Sequence, residues 1–173
     1  MTDPGSSRCP ERGRYPEFRR CFVRVTDLRE SVGESLRVTL KRSNRDTTWR
    51  EDGPVDLTIA EDAGWFLGVE GDPLFIDTGC CPGPRGLVVY DLSSRRKILD
   101  TSYVDYPLEP CLIGQRWLTY LEALGDASPG PDCPDAAGWE KDGLGAGFEE
   151  QVWFDLRSLG KTRSGIITCS ARQ

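Results

Sequence analysis

The chain has no histidine in 173 residues, and that absence removes Ser-His-Asp triads, Cys-His pairs, His-ligated zinc and any proton shuttle with an unperturbed pKa near neutrality. No apolar run approaches the roughly 20 residues that span a bilayer, and the N-terminal segment lacks the apolar core of a signal peptide. The chain is therefore expected not to span a membrane. Either it is cytosolic, or it is an exported protein whose signal has been removed. Paired Cys-x-x-Cys knuckles are also missing, which argues against structural zinc. No metal and no cofactor are expected.

What is present is uneven in charge. The net charge of −6 divides into an opening of 50 residues with twelve Lys and Arg against seven Asp and Glu, and a remainder with ten against twenty-one. An acidic body lacks the clustered basic face that phosphate neutralisation requires, so nucleic acid is not an expected partner. The arginine-rich opening (Arg8, Arg12, Arg14, Arg19, Arg20, Arg24) reads as a solvated run or one packed on the acidic body.

Seven cysteines (Cys9, Cys21, Cys80, Cys81, Cys111, Cys133, Cys169) are dispersed along the chain. Dispersal favours disulfides over metal, and an odd number leaves one thiol over. The pairings expected are Cys133 with Cys169, Cys9 with Cys21, and one of Cys80 or Cys81 with Cys111, although spacing alone leaves connectivity open. The alternative is a set of reduced thiols buried as small hydrophobes.

Period-two alternation begins at Phe22. Val23 and Val25 alternate with Arg24 and Thr26, Leu36, Val38 and Leu40 with Arg37 and Thr39, Val55, Leu57 and Ile59 with Asp56 and Thr58, and Trp65, Leu67 and Val69 with Phe66 and Gly68. Further strands are expected at 74–77, 87–92, 97–103, 112–120, 151–156 and 165–169, separated by turns such as Asp52-Gly53-Pro54 and Glu70-Gly71-Asp72-Pro73. The segment 116–124 fits two helical turns through Leu118, Leu121 and Leu124, and equally a strand through Trp117, Thr119 and Tyr120. The fold class read from this is all-β: an antiparallel sandwich or open barrel of about 8–10 strands with little helix. Residues 1–20 form an irregular arm, 21–173 a single β domain, and 125–147 a long loop pinned by Cys133.

Two segments echo each other. Leu87-Val88-Val89-Tyr90-Asp91-Leu92 and Gln151-Val152-Trp153-Phe154-Asp155-Leu156 share an apolar, aromatic, Asp, Leu order, each followed by a basic turn and a second strand. This resembles the outer hairpin of a β-propeller blade. The 64-residue spacing of the copies departs from the typical blade period of roughly 40–50, and the chain is short for a closed propeller. The stretch Phe75-Ile76-Asp77-Thr78-Gly79, the first hairpin, Gly143-Leu144-Gly145-Ala146-Gly147 and the closing Cys169-Ser170-Ala171-Arg172-Gln173 together resemble a type of small bacterial envelope protein. That resemblance implies an exported, β-rich, periplasmic or secreted protein and transfers no catalytic residue.

Candidate sites are then few. Gly143-Leu144-Gly145-Ala146-Gly147 lacks the strand, helix and acidic partner of a dinucleotide fingerprint, and reads as a turning loop. Asp77-Thr78-Gly79 carries the aspartic-protease triplet once, whereas that chemistry needs two carboxylates sharing a proton. Asp and Glu are plentiful enough for a glycosidase-type pair. Cys80-Cys81 reads as a loop anchor or a strained redox pair. Trp65, Tyr90 and Trp153 are the candidate ligand-binding residues, because neighbours on a strand point to opposite faces and one ring of each aromatic pair must look outward. The reading is a non-catalytic binding protein of the bacterial envelope with a protein or glycan partner. A carboxylate-based hydrolase and a cytosolic thiol protein are the alternatives.

Overall fold

Apolar residues alternating with charged and hydroxyl side chains suit a pleated chain whose successive side chains face opposite ways. The computed structural model describes residues 16–28, 32–43, 53–79, 83–104, 110–113, 115–125 and 133–172, and in these the alternation produces two antiparallel sheets. In the first, β1 (Cys21–Asp27), β2 (Glu34–Leu40) and β3 (Leu57–Ile59) lie in that order. The second contains β4 (Gly64–Val69), β5 (Pro73–Thr78), β6 (Arg85–Asp91), β7 (Arg96–Val104), β8 (Cys111–Ile113), β9 (Trp117–Leu124), β10 (Gly145–Asp155) and β11 (Gly160–Arg172). Its order is β11-β10-β9-β7-β6-β5-β4, with β8 paired to the start of β9. The expected all-β antiparallel architecture is the one observed. The ambiguous segment becomes strand β9 because Leu118 to Glu122 are buried without a break, which a chain covered on both faces allows and an amphipathic helix does not.

Two hydrophobic cores follow from this layout. The three-stranded sheet packs Val23, Val25, Leu36 and Val38 onto Leu74, Ile76 and Val88 of β5 and β6. A second core joins Leu87, Val89, Leu99 and Tyr103 of β6 and β7 to Leu118, Tyr120, Val152 and Phe154 of β9 and β10. Residues from both halves of the long sheet thus share one interior, so the sheet curls on itself.

Two expectations are corrected. On β4 the register shifts between Phe66 and Gly68, so Leu67 is an extra, bulged residue. Phe66 and Val69 then both pack on the first core, while Trp65 and Leu67 are exposed, the reverse of the simple alternation. The loop 125–147 contains a six-residue helix, α1 (Ala136–Lys141), and the start of β10, so Gly145, Ala146 and Gly147 are strand residues rather than a loop. Its residues 126–132 lie outside the described ones. In the expected arm, residues 1–15 also lie outside them, but Phe18 packs edge-on against Phe66 at 5.9 Å and Glu17 bridges to Phe22.

The echoed hairpins are β6–β7 and β10–β11, and their turns match in detail. Asp91 Oδ1 accepts from the amides of Ser93 and Ser94, and Asp155 Oδ1 accepts from that of Arg157. Arg95 and Leu159 close the two turns with φ of 59° and 58°. The amide of Leu92 donates to Asp72 O and that of Leu156 to Arg116 O. The echo therefore extends to whole four-stranded meanders, β4-β5-β6-β7 and β8-β9-β10-β11. Pro73 and Trp117, which pair with Asp91 and Asp155, are 44 positions apart. The 64-residue hairpin spacing arises because about 20 extra residues, with α1 among them, sit between β9 and β10. The two meanders share one sheet through Tyr103 with Glu122 and Val104 with Leu121.

Candidate functional site

Curling brings the two ends of one strand path together. β4 and β8 each pair on a single side among the described residues, and a cleft of about 460 Å³ opens between them. That volume lies within the roughly 300–1,000 Å³ usual for ligand sites. Its floor is Phe75, Leu87 and Leu118, its walls are Leu67 to Glu70 on one side and Pro110 and Leu112 on the other, and among the described residues Glu70 is the one charged lining residue. Gly68 stands opposite Phe75 at φ +152°, and a Cβ there would meet nothing within 4 Å, so the missing side chain leaves the cleft its depth. Leu67, at 54% exposure, marks one rim, and Leu112 on β8 marks the other.

One end of the cleft is latched. Gln115 Nε2 donates to Glu70 Oε1 at 3.0 Å, and Gln115 holds φ +55°, an uncommon conformation for a residue with a side chain. Beyond this hydrogen bond lies a smaller recess of about 260 Å³ lined by Asp72, Asp91, Ile98, Leu156 and Arg157, among others.

The far end of the second core is polar and closed. Asp77, buried, accepts from Arg85 Nε at 2.8 Å and from the Tyr103 hydroxyl at 3.1 Å, and Arg85 Nη2 reaches its other oxygen. Glu122 accepts from Thr101 at 2.6 Å, from Lys161 at 2.5 Å and from Arg163. The same guanidinium donates to Glu150 at 2.8 Å, and the Gly165 amide does so as well. Burial pushes the Glu122 carboxyl up, but hydrogen bonds from Lys161 and Thr101 and both cationic charges outweigh it and hold it down. Arg163, seconded by the Gly165 amide, holds Glu150 down. Arg116, seconded by the Arg157 amide, holds Asp155 well below the usual carboxylate range.

These three carboxyls fix a pH dependence. Their folded values lie below the ordinary 3.8 to 4.5, so their stabilising contribution is complete above that range and is lost as pH falls through the lower folded values. Urea titrations are expected to give constant stability from pH 7 to 5 and a progressive loss below about pH 4.5. Replacing Glu122 with Gln should flatten that loss. An unchanged slope would show that the cluster does not carry it.

Of the cysteines, Cys133 and Cys169 form a disulfide with Cα atoms 6.2 Å apart, as the sequence led one to expect. Among the described residues Cys21 and Cys111 are free thiols. Cys21 points into the first core and Cys111 stands exposed on β8. Cys9, Cys80 and Cys81 lie outside the described residues. Burial hides the Cys21 thiol and pushes it up to about 11, so iodoacetamide at pH 8 should label the exposed Cys111 much faster than Cys21. Equal rates by mass spectrometry would place Cys21 at the surface.

The aromatic candidates do not converge. Trp65 pairs with Asp77 across β4 and β5 and is exposed. Tyr90 packs on the first core, donates its hydroxyl to Glu61 and lies under Lys97. Trp153 is half-buried on β10, three places along the sheet from Tyr90's strand. The residues that do form a cavity, Leu67, Phe75, Leu87, Leu112 and Leu118, read in the sequence as ordinary core positions. The signal that marks them is a pair of strand edges far apart in the chain, which alternation does not reveal.

Among the described residues no group of three or more Cys, Asp or Glu is arranged to hold a metal ion, and no helix is long and apolar enough to cross a membrane. Comparisons of the chain with protein-family models, with curated proteins and with solved structures find no match.

Proposed function

We propose that this protein acts by binding, and that the cleft between β4 and β8 receives apolar groups of a protein partner in the bacterial envelope. The observation that carries this reading is a sizeable apolar cavity left open between two strands that each pair on a single side among the described residues, where a folded chain ordinarily buries its surface. The carboxylates give it further support. Glu34, Asp77, Glu122, Glu149, Glu150 and Asp155 are all buried, and each accepts from a main-chain or side-chain donor. A general acid needs a raised pKa near the working pH, and Glu122, Glu150 and Asp155 are shifted the other way. The Cys133–Cys169 disulfide favours an oxidising compartment, periplasmic or secreted.

The apolar probe N-phenyl-1-naphthylamine tests this. Its fluorescence should rise on binding, and Leu67→Glu at one rim and Leu112→Asp at the other should each weaken binding by about tenfold, the order of one lost apolar contact plus a buried charge. Absence of binding, or binding that both variants leave unchanged, would refute the cleft as the site. Turnover of a glycan or peptide panel that one Asp or Glu substitution abolishes would favour a hydrolase instead.

A further inference from the structure

The cleft is bounded by main chain as well as by leucines, and that narrows its occupant. β4 and β8 are both edge strands, and an edge offers a row of N–H and C=O groups to any extended chain laid beside it. The edge of β4 already behaves this way. At its beginning the Phe66 amide turns away from β5 and donates to the Glu34 carboxylate at 2.8 Å. From Leu67 to Val69 the same edge lines the cleft, and the Glu70 amide just beyond it turns back to donate to Pro73 O at 3.0 Å.

Resting on the reading of the cleft as a binding site, we propose that its occupant is an extended peptide segment of a partner protein, which adds a strand to the edge of β4 and fills the gap to β8. Three features set its chemistry. The cleft spans Leu67 to Val69 of β4 and Glu70 just past its end, so four to six residues of peptide suffice at roughly 3.3 Å each. The floor of Phe75, Leu87 and Leu118 is apolar, so alternate peptide side chains must be apolar while those between them face solvent. Glu70 is bonded to the neutral Gln115 and forms no ion pair among the described residues, so a Lys or Arg at that end of the peptide supplies an opposite charge and displaces Gln115.

Direction follows from topology. Five successive antiparallel pairings, β4–β5, β5–β6, β6–β7, β7–β9 and β9–β8, leave β4 and β8 running in opposite senses. An inserted strand is therefore antiparallel to one and parallel to the other. Antiparallel pairing with β4, the better hydrogen-bonded choice, puts the peptide N-terminus at Glu70.

The probe is the peptide acetyl-Lys-Thr-Leu-Thr-Leu-Thr-amide, titrated into nitrogen-15-labelled full chain and followed by NMR. Amide shifts are expected at Leu67–Glu70 and Leu112–Ile113. N-methylation of alternate peptide amides should weaken binding at least tenfold with the side chains unchanged. Glu70→Gln should weaken it several-fold for this peptide and not for one with Thr in place of Lys. No shifts at millimolar peptide, or equal affinity after N-methylation at either set of positions, would overturn strand addition. If N-phenyl-1-naphthylamine still binds in that case, the cleft remains a binding site and only its peptide occupant is refuted; if neither binds, both readings fall. Sedimentation that shows a concentration-dependent dimer, abolished by Leu67→Glu, would assign the edges to a second copy and likewise overturn it.

Discussion

Arg172→Ala is expected to cost the fold about 3–5 kcal/mol, the range for removing one member of a buried ion pair. Glu149 is fully buried on β10. Its Oε2 accepts from Arg172 Nη2 at 3.0 Å and from the Ser170 hydroxyl at 3.1 Å. The same guanidinium nitrogen donates to Phe148 O at 2.8 Å. Removing the arginine leaves a carboxylate with one hydroxyl donor and no opposite charge in a site that water does not reach. The pair is not ideal, since among the described residues Glu149 Oε1 and Arg172 Nε find no hydrogen-bond partner. Replacing both together, Glu149→Gln with Arg172→Met, should therefore recover most of the loss, because the penalty lies in the unmatched charge and not in a missing attraction. At about 2–4 °C per kcal/mol for a chain of this size, the single variant should melt at least 6 °C lower, and a shift under 2 °C in thermal unfolding would show that Glu149 is already solvated.

Gly147 belongs to the same arrangement. A Cβ at that position would stand 1.7 Å from Arg172 Nε, so the glycine is what lets the guanidinium lie across the strand to reach Glu149. Gly147→Ala should then destabilise in the same direction as Arg172→Ala but by less, since the arginine is displaced and not deleted. The glycine-rich run in which it sits looks in the sequence like a phosphate-binding or flexible loop. Glycine specifies close backbone approach as readily as it specifies mobility, and the group approaching here is a side chain 25 positions away.

How much of the molecule the sequence revealed divides along the same line. Strands whose one face is buried, such as Val23, Val25, Leu36 and Val38, announce themselves by alternation, and Asp91 and Asp155 announce their turns because an Asp that bonds amides two residues on acts locally. Features fixed by distant contacts do not announce themselves. The bulge at Leu67 reverses the faces of β4, yet nothing in Trp65-Phe66-Leu67-Gly68 apart from the glycine signals an extra residue. The 44-residue repeat is hidden by the insertion before β10, which displaces its second hairpin. The cleft is hidden more deeply, since its walls come from β4 and β8, which meet only when six strands curl around a shared core.

That insertion also explains why the disulfide should matter. Reduction of Cys133–Cys169, or Cys133→Ser with Cys169→Ser, is expected to lower stability by about 3–4 kcal/mol, the chain-entropy value for a loop closed across the sequence separation of 36. The loop it closes contains α1, six residues long with no residue fully buried, too short to persist on its own. What holds α1 in place is its packing against β10 together with the bond to β11. Without the bond, β11 keeps its hydrogen bonds to β10 and its ion pairs from Lys161 and Arg163 to Glu122 and Glu150, so the sheet should survive while the insertion opens. Thermal unfolding in dithiothreitol should therefore show a melting temperature lower by roughly 6–15 °C, and hydrogen exchange should speed up at 136–144 while β9 and β10 stay protected. Uniform acceleration across the sheet would mean that the disulfide supports the whole fold; no acceleration at all would mean that α1 needs no pin.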